Sequence, residues 1–128
     1  LSVGLSHLDD WTARRRELGK KYLDKINNPH ITMQAHPDNT KTVFHLFEVT
    51  VDKRDEFIEY MKQNGIGCDK HYPVPCHLQE AYKGLGYKTG DCPNAEYLAL
   101  HCVSLPMFPE LTDEEQDYII EKCNEFNC

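Results

Sequence analysis

At 128 residues, with 40% hydrophobic and 27% charged side chains, the chain has the size and composition of one ordinary globular domain, and wholesale disorder is excluded. A formal charge of −7 and an isoelectric point near 5.4 argue against nucleic acid as a partner, because a phosphate backbone selects basic surfaces. No apolar run nears the ~20 residues that a membrane-spanning helix requires, and no basic segment followed by an apolar one opens the chain, so a soluble, cytoplasmic protein without a membrane partner is expected.

Leu5, Leu8, Trp11, Leu18, Tyr22 and Ile26 fall mostly three, four or seven residues apart, the spacing of one helix face. This predicts a long helix to about Asp24, capped by Ser6 with Asp9 and preceded by a short stub over residues 1–5. Arg14, Arg15, Arg16, Lys20 and Lys21 read as its solvated side rather than a phosphate-binding patch. Asn27, Asn28 and Pro29 end it, since proline has no amide to donate and forces its predecessor into extended geometry. Residues 1–26 are thus expected to form a connecting helix and residues 30–128 an α+β body.

Residues 31–34 predict a short strand. Residues 42–51, TVFHLFEVTV, are rich in β-branched and aromatic side chains and predict the main strand. One face would carry Val43, His45, Phe47 and Val49, and the other Phe44, Leu46, Glu48 and Thr50. Both are partly apolar, so the strand is expected to be central, with His45 a hydrogen-bonded core residue. Asp52 would cap a helix over residues 53–63 that buries Phe57, Ile58 and Met61 and stops at a left-handed Gly65. A strand over 66–72 ends at Pro73, and a short helix is predicted over 78–83. Pro93 suits the first turn of a helix reaching His101, residues 103–105 form a short strand, and Thr112 with Glu115 makes a capping box for a final helix. The expected fold class is α+β, a small, mainly antiparallel sheet of three or four strands with packed helices.

The densest group of polar side chains is HYPVPCHLQ, residues 71–79. Pro73 and Pro75 fix the backbone there, so His71, Tyr72 and His77 are held in place, as a ligand-contacting loop requires. The alternative is structural, with Tyr72 packed in the core and His71 ending a strand. None of Ser2, Ser6 and Ser104 sits in a nucleophile elbow, and no glycine-rich phosphate loop occurs. The six cysteines include no C-x-x-C pair, which favours reduced structural thiols. A metal held by His71, Cys76 and His77, with His45 or Cys68 as fourth ligand, has no recognisable ligand spacing behind it, and no metal site is expected.

In five segments the chain resembles the C-terminal region of the DegT/DnrJ/EryC1/StrS family of nucleotide-sugar aminotransferases. The matching residues are Leu5, Leu8, Asp9, Trp11, Arg15, Arg16 and Tyr22; Val43, His45, Leu46, Phe47 and Val49; Arg54, Phe57, Gly65 and Ile66; His71, Tyr72, Pro73, Pro75, His77, Ala81 and Tyr82; and Ala95, Glu96, Ser104, Leu105, Pro106, Pro109, Leu111 and Thr112. The HYPVPCHLQEAY wording is most similar to enzymes that aminate C3 of dTDP-3-keto-6-deoxyhexoses.

The resemblance implies the small domain of a fold type I enzyme that uses pyridoxal phosphate (PLP) to move an amino group from glutamate to a nucleotide-linked keto-sugar, for cell-surface polysaccharide or sugar biosynthesis. It also implies a homodimeric parent. His71 and Tyr72 would contact substrate, their ring groups donating to sugar hydroxyls or diphosphate oxygens, with His77 and His45 as further substrate-binding candidates and Pro73 and Pro75 shaping the loop. The family's Schiff-base lysine follows a Ser-Phe pair in the larger N-terminal domain, and no serine here precedes a phenylalanine. With a first residue of Leu1 rather than Met, the chain is expected to be a piece of such an enzyme, without a catalytic residue or covalent PLP of its own and inactive alone. The alternative is a non-enzymatic module of the same fold that binds nucleotide sugars or serves assembly.

Overall fold

The structure is a computed structural model that describes residues 2–37 and 39–127. After a single turn, α1 (Ser2–Leu5), comes the long helix α2 (Leu8–Lys25). Strands β1 (Ile31–Met33) and β2 (Phe47–Val51) follow, then α3 (Arg54–Gln63), α4 (Pro93–His101), β3 (Cys102–Leu105) and α5 (Asp113–Glu125). The strands form one antiparallel sheet in the order β1-β2-β3, with β2 central as the sequence predicts. In register, Ile31 faces Val51, and Phe47, Glu48 and Val49 face Leu105, Ser104 and Val103.

Successive strand residues point to opposite faces, and β2 alternates accordingly. Phe47, Val49 and Val51 are buried, while Glu48 and Thr50 are half-buried. The first set joins Leu18 and Tyr22 of α2, Phe57 and Met61 of α3, and Ile119, Ile120 and Cys123 of α5 in one continuous core. Leu18, Phe57 and Met61 are fully enclosed, and each such burial is worth on the order of 2 kcal/mol. Helix α4 lies against the other side of β2, where Glu48 and Thr50 point.

Two element ends behave as their sequences predict. Gly65 takes φ +76 after α3, the left-handed conformation for which glycine pays no Cβ penalty. Thr112 accepts the Glu115 amide while the Glu115 carboxylate accepts the Thr112 amide, completing the capping box of α5.

Elsewhere local signals lose to tertiary demands. Residues 42–46 are not strand: Phe44 adopts φ +47, and Val43, His45 and Leu46 are exposed, so His45 is not a core residue. The cause lies on α2. Arg15 donates to the carbonyls of Phe44, His45 and Met107, and Arg16 to that of Thr42, so these carbonyls bond arginine instead of a strand. Arg14 likewise holds the Leu111 carbonyl and Asp113, and Lys21 pairs with Asp117. Arg14, Arg15, Arg16 and Lys21 are therefore tertiary ties, and of the basic stretch Lys20 alone is a solvated residue without one, paired with Asp24 one turn on in the same helix.

Neither Ser6 nor Asp52 caps a helix. Ser6 donates to the Val3 carbonyl, and the residues at the starts of α2 and α3 are His7 and Lys53, without side-chain caps. The strand expected over 66–72 shrinks to one bridge between Asp69 and Ser104, and Ile58 is only half-buried. The helix expected over 78–83 is replaced by two 3₁₀ segments, Cys76–Leu78 and Glu80–Leu85.

Candidate functional site

A cleft of about 460 Å³ opens on the Glu48 side of the sheet, between β2, α4 and the segment that follows the Asp69–Ser104 bridge. Its walls include Glu48, Thr50, His71, Tyr72, Val74 and Leu98. That bridge delivers His71 to the cleft mouth: Asp69 exchanges both backbone hydrogen bonds with Ser104 of β3, and His71 follows two residues later. The sheet register then brings Glu48 opposite Ser104.

The three side chains form a relay. Ser104 Oγ donates to Glu48 Oε1, and His71 Nδ1 lies 2.7 Å from the same hydroxyl oxygen. Glu48 Oε1 itself is 3.9 Å from Nδ1. Cys102 lies beside this carboxylate. Burial first, and the Glu48 charge second, raise its thiol above the ordinary value and keep it protonated. The Tyr72 ring meets the His71 ring edge-on at 5.3 Å and is 70% exposed, which excludes a core role. Pro75 is extended, and its carbonyl accepts the Leu78 amide, starting the first 3₁₀ segment.

The other two histidines serve different places. His77 Nε2 lies 3.0 Å from Glu96 Oε1, and its side chain is only 8% exposed. Glu96 also accepts the amides of Gly90 and Cys92, so it clasps the glycine-containing turn onto α4. Desolvation pushes the Glu96 carboxyl up, but those two amides and the His77 ring outweigh it and hold it below the usual carboxylate value. His45 lies in a separate hollow of about 570 Å³, beside Leu8, Trp11, Val43 and Phe108. The structure therefore brings His71 and Tyr72 to one cleft, gives His77 a structural partner, and sets His45 apart.

Sequence reasoning missed Glu48 and Ser104 as members of the site. A carboxylate among apolar strand residues was one available signal, but its partner depends on a strand register that no local pattern reveals. Among the described residues no group of three His, Cys, Asp or Glu is placed to hold a metal ion, and the five described cysteines are free thiols. Burial pushes the Cys68 thiol up to about 12, far from a reactive thiolate. No described helix is long and apolar enough to cross a membrane.

A small antiparallel sheet, with its core and three helices on one side and a cleft with polar groups at its mouth on the other, defines an α+β domain. Residues 1–124 match the model of the DegT/DnrJ/EryC1/StrS aminotransferase family, and the chain belongs to that family. It is 41% identical over 98% of its length to a pleiotropic regulatory protein of Geobacillus stearothermophilus, covering 35% of that protein. To the dTDP-3-amino-3,6-dideoxy-alpha-D-galactopyranose transaminase of Aneurinibacillus thermoaerophilus it is 37% identical, over 98% of this chain and 34% of the relative. The crystal structure of Streptomyces venezuelae DesV in complex with a ketimine intermediate matches at a TM-score of 0.93 and 36% identity, over 97% of this chain and 34% of that one. The chain thus spans about a third of the length of the relatives it matches.

The PLP-form of the sugar aminotransferase Spr1654 from Streptococcus pneumoniae matches at a TM-score of 0.82 and 30% identity, over 95% of this chain and 32% of that one. The cleft residues do not fit that cofactor as a resident group. Among the described residues no lysine lines the cleft to form a Schiff base, no arginine or lysine is there for a phosphate, and no aspartate for a pyridinium nitrogen. Lys70, next to His71 in sequence, is paired with Asp55 at 2.7 Å.

Proposed function

We propose that this chain is the substrate-side domain of a PLP-dependent aminotransferase that passes an amino group from glutamate to a nucleotide-linked keto-deoxysugar. The observation that carries the reading is the cleft at His71 and Tyr72, polar at its mouth and apolar along Val74, Leu98 and Ala99. A deoxysugar has the same mixed character, with hydroxyls to be hydrogen-bonded and methyl or methylene groups to be desolvated. The names of two relatives that specify dTDP-linked 3-amino-deoxysugars support this substrate class and amination at C3.

In this reading His71 and Tyr72 bind and orient the sugar, and the Pro73–Pro75 segment limits the loop's motion. PLP, which supplies the electron sink for amino transfer, is held by parts of the parent enzyme outside this chain, and the chain alone has no transaminase activity. The parent is a homodimer, the assembly that the family resemblance implies.

Two measurements test this. The reading frame upstream of Leu1 should encode a Ser-Phe pair followed shortly by a lysine; an open frame without one would refute the assignment. The protein made from the complete frame should then form 2-oxoglutarate from glutamate and a dTDP-3-keto-6-deoxyhexose. His71→Ala should lower kcat/KM for the sugar at least about tenfold while leaving the glutamate half-reaction unchanged. Equal losses in both half-reactions would count against a substrate role.

A further inference from the structure

The direction of the hydrogen bonds at His71 constrains what this histidine can recognise. An ionised carboxylate only accepts, and a serine hydroxyl has a single proton to give. Ser104 commits that proton to Glu48. The oxygen lone pair left on Ser104 faces His71 Nδ1 at 2.7 Å, so the proton between them must come from the imidazole. We propose that Glu48, acting through Ser104, fixes neutral His71 as the Nδ1–H tautomer and so makes its Nε2 a hydrogen-bond acceptor at the mouth of the cleft.

Within the described chain nothing competes for that nitrogen. Asp69 Oδ2 is 4.0 Å from Nε2, beyond hydrogen-bond distance, and its side chain is 80% exposed. The neighbouring Tyr72 ring meets the imidazole by its edge and not through its hydroxyl. The specificity that follows is opposite to that expected from the sequence. A neutral His71 accepts from a ligand hydroxyl or amine and offers no proton to a diphosphate or keto oxygen. Glu48 and Ser104 are positioning residues: they set which ring nitrogen carries the proton, as the carboxylate does in other carboxylate–histidine arrangements. That the donor is a sugar hydroxyl rests on the function proposed above; the tautomer does not.

The test is long-range 15N–1H correlation of the histidine rings in the 128-residue chain at about pH 8, above the ordinary histidine titration. His71 should show a protonated Nδ1 and an unprotonated Nε2, in a ratio above about 10:1. Ser104→Ala removes the acceptor and should return the ring to a mixture led by Nε2–H. Glu48→Gln, whose amide can donate to Ser104 and reverse the relay, should shift it the same way while leaving the amide spectrum of β2 and β3 in place. An Nε2–H ring in the unmodified chain, or a ratio indifferent to both substitutions, would overturn the proposal. Adding dTDP-glucose to the protein from the complete reading frame then separates the two ideas. An upfield shift of Nε2 supports the sugar site, whereas an Nδ1–H ring whose Nε2 does not move refutes the sugar reading and leaves the relay standing.

Discussion

Adding one methyl group at Gly19 sets two opposed effects against each other. Gly19 lies inside α2, where glycine costs about 0.5–1 kcal/mol relative to alanine, so Gly19→Ala should stabilise on helix propensity alone. The tertiary structure predicts the reverse. A Cβ built on Gly19 would lie 2.5–2.7 Å from Cδ2, Cε2 and Cγ of Phe44. Because Cγ is among them, the ring cannot escape by swinging its far edge away. It is also held by Phe47 and His36, with centroids at 5.7 and 5.2 Å, on a backbone fixed at φ +47. Overpacking costs about 1–3 kcal/mol; with three ring carbons this close the upper part, about 2–3 kcal/mol, applies, and after the propensity gain a net loss of about 1–2.5 kcal/mol is expected. Urea unfolding would measure it. In a Phe44→Ala background the obstruction is gone, and the same Gly19→Ala change should become stabilising by about 0.5–1 kcal/mol. A Gly19→Ala chain as stable as the unmodified one, or a cycle without that change of sign, would refute the packing argument.

Arg15→Met should cost about 2–3 kcal/mol, since one guanidinium nitrogen with two protons serves three carbonyls that would be left with poorer partners; denaturant unfolding checks this. Thr112→Ala removes half of the capping box and should cost about 1 kcal/mol, with Thr112→Ser restoring most of it in the same assay. Glu96 is depressed in the folded state, so the unfolded chain binds the extra proton. Its contribution to stability is therefore complete above the ordinary carboxylate value and is lost as pH falls through the lower folded value. Glu96→Gln should flatten the acid side of the stability–pH curve and speed hydrogen exchange at the Gly90 and Cys92 amides; unchanged exchange there would show that Glu96 does not hold the turn.

What the sequence revealed was what local chemistry decides. The 3.6-residue apolar spacing of α2, the TDEE cap of α5, Pro93 opening α4 and Gly65 closing α3 each act over one or two turns, and each is found as expected. The strands were harder to bound. Residues 42–46 have the composition of β-structure, yet arginines some thirty positions earlier take their carbonyls. The site was half legible for the same reason. The prolines and the density of polar groups mark His71 and Tyr72, but the pairing of Ser104 with Glu48 across 56 residues exists only once β2 and β3 are in register. Of the four histidine and tyrosine candidates, His77 looked equivalent to His71 in sequence, and only the carboxylate of Glu96 distinguishes them.

The ties that dock α2 reach almost the full length of the chain. Arg14 bonds Leu111 and Asp113, and the Gln116 amide donates to the Leu18 carbonyl. Asn28 holds the carbonyls of Cys123 and Phe126, with separations in this set between 95 and 99 residues. On a ribosome, α2 must therefore wait, without α5 over Leu18 and Tyr22, until α5 has cleared the exit tunnel. At roughly 5–20 residues per second that wait lasts several seconds or more. This is a window in which a chaperone can reach the hydrophobic stripe of α2, and the docking of α5 closes it.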